Sequence, residues 1–177
     1  MRHGQAYLPH IAIPGYRFGS RTRITLSDYR DQWVLICSAP QVHHDHVHLL
    51  GHFNCEMTRS ETLLVVMTSQ TATLVDSLSE TGEPFTSIVW IEREAIVTQS
   101  LEIPFPTNGL CHSLAFDPRG CLIFQAVHAL SVEGLNFVQQ VLTSFQKGRS
   151  RPPCLASYDP HRKRLIFYQS PQLLRPA

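Results

Sequence analysis

The feature that most constrains this chain is the apolar run Trp33-Val34-Leu35-Ile36-Cys37, entered from the polar segment Thr25-Leu26-Ser27-Asp28-Tyr29-Arg30-Asp31 and closed by Pro40. Its length and composition are those of a strand buried on both faces. Pro40 bars simple continuation of that strand. The residues that follow, Gln41 to His52, read as a helix start, with Asp45 placed to suit the positive helix end. A buried strand feeding a helix N-terminus is where an α/β protein usually places its chemistry.

Further strands and helices follow in order. Residues 8 to 31, with Pro9, Pro14, Gly15 and Gly19, predict a short hairpin around Gly15 or Gly19. Thr62-Leu63-Leu64-Val65-Val66-Met67 predicts the clearest buried strand, after which Thr68 or Ser69 would cap a helix through Ser79. Ser87–Ile91 predicts a strand and Ala95–Thr98 another, ahead of a loop at Pro104, Pro106 and Asn108-Gly109. Two runs on either side of Asp117-Pro118-Arg119-Gly120 predict a hairpin, since proline presets a turn φ and glycine accepts the left-handed position. Leu135, Val138, Val141, Leu142 and Phe145 form one apolar stripe of a helix that closes at Phe145-Gln146.

The order and spacing of these blocks resemble the peroxiredoxins, the alkyl hydroperoxide reductase / thiol-specific antioxidant branch of the thioredoxin fold. The quoted likenesses are Leu26-Ser27-Asp28-Tyr29-Arg30, the buried strand ending before Pro40, the Asp117-Pro118-Arg119-Gly120 hairpin and the final helix ending Phe145-Gln146. The resemblance implies an α/β fold, a thioredoxin-like central mixed sheet with flanking helices, over residues 1–146. A basic, proline-rich arm over 147–177 would follow. It also implies a motif Pro-x-x-x-Thr-x-x-Cys, which counted from Pro40 places the threonine at His44 and the peroxidatic cysteine at Val47. The family's arginine would fall near Cys111 or His112. The motif positions Pro40, His44 and Val47 are thus degenerate, and no catalytic residue is expected there.

A peroxidase of this type needs a thiolate, because the thiol is a poor nucleophile. Among the five cysteines, Cys37 reads as a small core hydrophobe. Cys111 stands at a strand entrance and Cys121 just after a turn. Cys55 falls about two helical turns beyond Val47, after a helix that Gly51 is expected to shorten, in a segment 55–61 read as a turn. Cys154 is the cysteine expected to be exposed and lies where the resemblance places a resolving cysteine. Cys55 and Cys154 are therefore the candidate thiols for the alternative of a thiol-dependent peroxidase with a relocated cysteine. No Cys-x-x-Cys pair supports a disulfide exchanger.

His44, His48 and His52 would share one helix face at four-residue spacing. His44 and His48 are candidate metal ligands, although the segment lacks a fixed ligand pattern, and no metal or cofactor is expected. Clustered imidazoles would make the surface sensitive to pH between about 5 and 8. With 177 residues and a formal charge of +1, the composition suits one folded domain and gives no excess charge for nucleic acid. The basic runs 147–151 and 161–164 read as a solvated tail. No secretory signal or membrane-spanning stretch is visible. The odd cysteine count without framework spacing suits a reducing compartment, and a cytoplasmic location is expected. The resulting expectation is a peroxiredoxin-like protein that has lost peroxidase activity and serves as a binding or structural subunit. It would be a homo-oligomer or part of a larger assembly, with Leu165 to Tyr168 as an added strand or a contact arm.

Overall fold

The structure, a computed structural model, describes residues 7–17, 20–39, 42–68, 88–91, 110–148, 154–159 and 164–169. At its centre is β3 (Trp33–Ser38), hydrogen-bonded in parallel to β4 (Thr62–Thr68) and in antiparallel register to β6 (Leu110–Phe116). A strand with neighbours on both edges and cover on both faces must be apolar throughout. Val34 to Cys37 are accordingly at most 1% exposed.

The described strands form one mixed sheet in the order β2-β1-β5-β4-β3-β6-β7-β8-β9. Here β1 is Ala12–Arg17, β2 Ser20–Thr25, β5 Ile88–Ile91, β7 Leu122–Ala129, β8 Cys154–Asp159 and β9 Arg164–Gln169. The N-terminal hairpin is present and closes between Arg17 and Ser20, in keeping with the Gly19 alternative, while Gly15 lies inside β1 opposite Thr22. The predicted strand over Leu165–Tyr168 is part of β9, which pairs with β8, and β8 in turn runs parallel to β7. The predicted helix from Thr68 or Ser69 to Ser79, the strand Ala95–Thr98 and the loop at Pro104–Gly109 lie outside the described residues.

Two helices, α1 (His44–Arg59) and α2 (Val132–Gln146), pack on the face presented by Leu35, Cys37, Cys111, Ala115 and Ala126. Val34, Ile36, Val65, Met67, Leu114 and Phe116 form the opposite core with Leu8, Ile24 and Leu26. α2 ends at Gln146 as expected and buries Leu135, Val138, Leu142 and Phe145 of the predicted stripe; it is capped by Ser131, whose Oγ accepts from the Gly134 N–H at 3.2 Å.

α1 differs from the expectation. It is neither short nor cut back: it runs unbroken through Gly51 and carries Cys55 on its body. An interior glycine costs about 1 kcal/mol relative to alanine. Against this, α1 buries Val47, Leu50, Phe53 and Met57 along one face, each contributing roughly 1.5–3 kcal/mol. Packing on the sheet outweighs the local propensity.

The β6–β7 hairpin is fixed by a buried carboxylate. Asp117 Oδ1 accepts from the Arg119 N–H at 3.0 Å and the Cys121 N–H at 2.9 Å. Its backbone carbonyl accepts from Gly120, which holds φ +78°. The same turn ties in the N-terminal segment, since the Gly120 carbonyl accepts from Leu8 and the Pro118 carbonyl from Asp31, both at 2.8 Å.

Candidate functional site

The strand-to-helix junction after β3 places Val47 in the first turn of α1, 2% exposed and packed in the helix-side core. Pro40 lies outside the described residues. His44 is the first helical residue, and only its backbone is described. His48 is exposed. Among the described residues no three His, Cys, Asp or Glu side chains come together to hold a metal ion.

The helix start is closed by one imidazole, that of His46, rather than by the usual hydroxyl or carboxylate caps. The His43 N–H donates to His46 Nδ1 at 3.2 Å, and the His46 N–H donates to the His43 carbonyl at 2.9 Å. His46 thus fills the role of the Glu or Gln at the third position of a capping box. That bond requires a lone pair on Nδ1, so it exists only with the ring unprotonated at that atom. Partial burial holds the His46 pKa below the ordinary imidazole value, the neighbouring His43 lowers it further, and Asp45 partly offsets both.

The candidate thiols do not converge on Val47. Cys55 is half-buried on α1, and eight residues of continuous helix separate it from Val47 by about 12 Å. Cys154 opens β8, three strand spacings from β3 in the sheet order, or about 14 Å; its side chain lies outside the described residues. Cys37, Cys111 and Cys121 are buried and free. A groove of about 300 Å³, lined by residues including Arg17, Asn54, Thr58 and Glu61, lies at the other end of α1.

One polar cluster was not anticipated from the sequence. Cys37, Ser113 and His128 meet beneath the helices, each at most 1% exposed. Cys37 Sγ is 3.3 Å from Ser113 Oγ, and Ser113 Oγ is 2.8 Å from His128 Nε2. His128 Nδ1 lies 2.8 Å from the Ala129 carbonyl oxygen. A carbonyl can only accept, so Nδ1 carries the proton and Nε2 is the acceptor. Direction then propagates: the Ser113 hydroxyl donates to Nε2, and the Cys37 thiol donates to Ser113 Oγ. Cys111 hydrogen-bonds Cys37, and this bond together with burial holds the Cys111 thiol well above its ordinary pKa. Burial lowers the His128 pKa. A period-two reading would have signalled the cluster, because Cys111 and Ser113 share one face of β6 and Ala126 and His128 share one face of β7.

No family model matches the sequence, and no curated protein matches it. Solved structures do match. Plasmodium yoelii thioredoxin peroxidase I superposes with a TM-score of 0.64 at 14% identity, over 84% of this chain and 95% of that one. Enterococcus faecalis AhpC gives 0.62 at 10% identity, over 84% and 98%. A cysteine-to-serine mutant of Xylella fastidiosa PrxQ gives 0.60 at 17% identity, over 80% and 96%. No described helix is long and apolar enough to cross a membrane. The chain therefore has the peroxiredoxin-like form of the thioredoxin fold, an α/β architecture with a central mixed sheet and flanking helices.

Proposed function

We propose that this chain is a peroxiredoxin-like protein without peroxidase chemistry at the α1 N-terminus, serving as a cytoplasmic binding or structural subunit. The observation that supports it is the side chain of Val47, a buried methyl pair in the first turn of the helix where the fold would offer a thiolate. A helix terminus supplies N–H groups and a positive potential, but no lone pair that attacks a peroxide. Fold does not carry function by itself, so the reading rests on that side chain.

In this reading residues 1–146 are the main body and 147–177, which add β8 and β9 to the edge of its sheet, are the part that contacts a second copy or a larger assembly, with nucleic acid no partner. Truncation after residue 148, followed by mass measurement in solution, tests the arm; an unchanged oligomer counts against it. Peroxide consumption with a dithiol reductant tests the chemistry. The reading expects no turnover above the reductant alone, and turnover that disappears in Cys55→Ser or Cys154→Ser would replace it with the relocated-cysteine enzyme.

A further inference from the structure

The His128 ring is wedged between the sheet and the start of α2. A Cβ built on Gly134, the third residue of α2, would stand 2.7 Å from His128 Nδ1 and closer still to the Ala129 carbonyl oxygen. The ring therefore lies directly under the helix backbone, with Ser131 capping the same turn. It is 0% exposed, and every hydrogen bond in the chain Cys111, Cys37, Ser113, His128, Ala129 runs one way only while the ring is neutral.

We infer that His128 is an acid-sensitive latch: the neutral ring holds the first turn of α2 on the sheet, and protonation of Nε2 releases that turn. The added proton, taken from solvent, meets the hydroxyl hydrogen that Ser113 aims at the same nitrogen. To relieve that clash Ser113 must turn its hydrogen toward Cys37, Cys37 must turn toward Cys111, and Cys111 loses the acceptor it has. The charge itself is not matched. The groups facing the ring are the thiols of Cys37 on β3 and Cys111 on β6, and on α2 the Gly134 backbone beside exposed Glu133. Side chains of β8, the other neighbour of β7, lie outside the described residues. α1 brings apolar Val47, Leu50, Phe53 and Met57 to the same core. Among the described residues no carboxylate contributes to the titration of His128. The α2 N-terminus presents the positive end of its dipole, which disfavours an imidazolium. The ring reaches water only if the turn above it lifts, because Gly134 leaves no room to rotate past it.

The test is amide hydrogen exchange of the α2 first turn in the full chain between about pH 7.5 and 5, corrected for the intrinsic pH dependence of exchange. Protection of residues 132–136 is expected to fall by up to about tenfold per pH unit below the ordinary imidazole pKa, the limit for uptake of one proton, while the C-terminal half of α1 stays constant. His128→Gln should flatten the profile, and His46→Gln should leave it in place. Should His128→Gln not fold, the wild-type chain decides: the slope at residues 132–136 must begin near the ordinary imidazole pKa and level off at the pH where the ring resonance itself titrates. Constant α2 exchange down to the pH where the ring titrates, or loss of the slope in His46→Gln, overturns the inference. So does a rise in thiolate absorbance matching the ring titration, which would mean that His128 takes its proton from Cys37.

Discussion

Ser113 Oγ lies 2.8 Å from His128 Nε2 across the β6–β7 pair, and both side chains are fully buried. Because His128 Nδ1 is committed to the Ala129 carbonyl, the hydroxyl must donate to the ring. Replacing Ser113 by alanine leaves His128 Nε2 without a donor and the Cys37 S–H without its acceptor, both buried. A cost of about 1–3 kcal/mol follows, read as a lower urea midpoint at pH 7.5 or above. Cys37→Ala with Ser113→Ala should show non-additive losses in a double-mutant cycle, since both belong to one network.

Gly134→Ala tests the closeness of α2 to β7. The added methyl would meet the Ala129 carbonyl and the His128 ring, both on fixed elements. Overpacking of this kind costs about 1–3 kcal/mol or more, in a helix where alanine would otherwise stabilise. A chemical denaturation midpoint at or above wild type would contradict the described approach.

Asp117→Ala removes the acceptor for two backbone N–H groups in the β6–β7 turn. At 6% exposure water compensates these poorly, and a loss of about 2 kcal/mol is expected. Asp117→Asn keeps an oxygen at that position and should recover part of it. Equal losses in the two variants, measured by thermal or urea unfolding, would count against this role.

At the other site, His46→Ala should cost about 1 kcal/mol by removing the side chain that accepts the His43 N–H. His46→Gln, which offers an oxygen acceptor at the same capping-box position, should cost less. Helix content by far-ultraviolet circular dichroism, alongside the unfolding midpoint, distinguishes local fraying from global loss.

The sign of the pH dependence follows from two depressed histidines. His46 and His128 both have pKa values below the ordinary 6.5 in the folded chain, each chiefly through burial. Below pH 6.5 the unfolded chain therefore binds more protons than the folded one, and stability rises with pH through that window. Unfolding free energy should be flat above about pH 7 and fall on acidification until the folded-state pKa values are reached. A stability profile that improves on acidification from pH 7 would be inconsistent with both burials.

The parts of the fold that are legible in the sequence are those where one physical demand dominates. β3 reads as buried on both faces because Val34 to Cys37 leave no polar alternative, and the Asp117–Gly120 turn reads from its φ requirements. α1 is misread because Gly51 and the histidines suggest weak helix while the stabilising contacts, Val47, Leu50, Phe53 and Met57 against the sheet, are tertiary. The same cause hides the Ser113–His128 pair. Two residues fifteen apart in sequence meet only through strand register, and His128, near the end of β7, is enclosed only once α2 covers it. At Val47 the resemblance supplies an expectation only, and the burial of that side chain becomes visible only with the helix packed.

The most direct test of the proposal that the chain holds no reactive thiol is site-resolved trapping of sulfenic acid. The reduced full chain is exposed to stoichiometric hydrogen peroxide with a carbon-acid trap, and each cysteine is followed by peptide mass spectrometry. Slow modification, no faster than a free thiol at any of the five cysteines and slowest at buried Cys37, Cys111 and Cys121, is the predicted result. Rapid trapping at a single cysteine, Cys55 or Cys154 above all, would contradict the account.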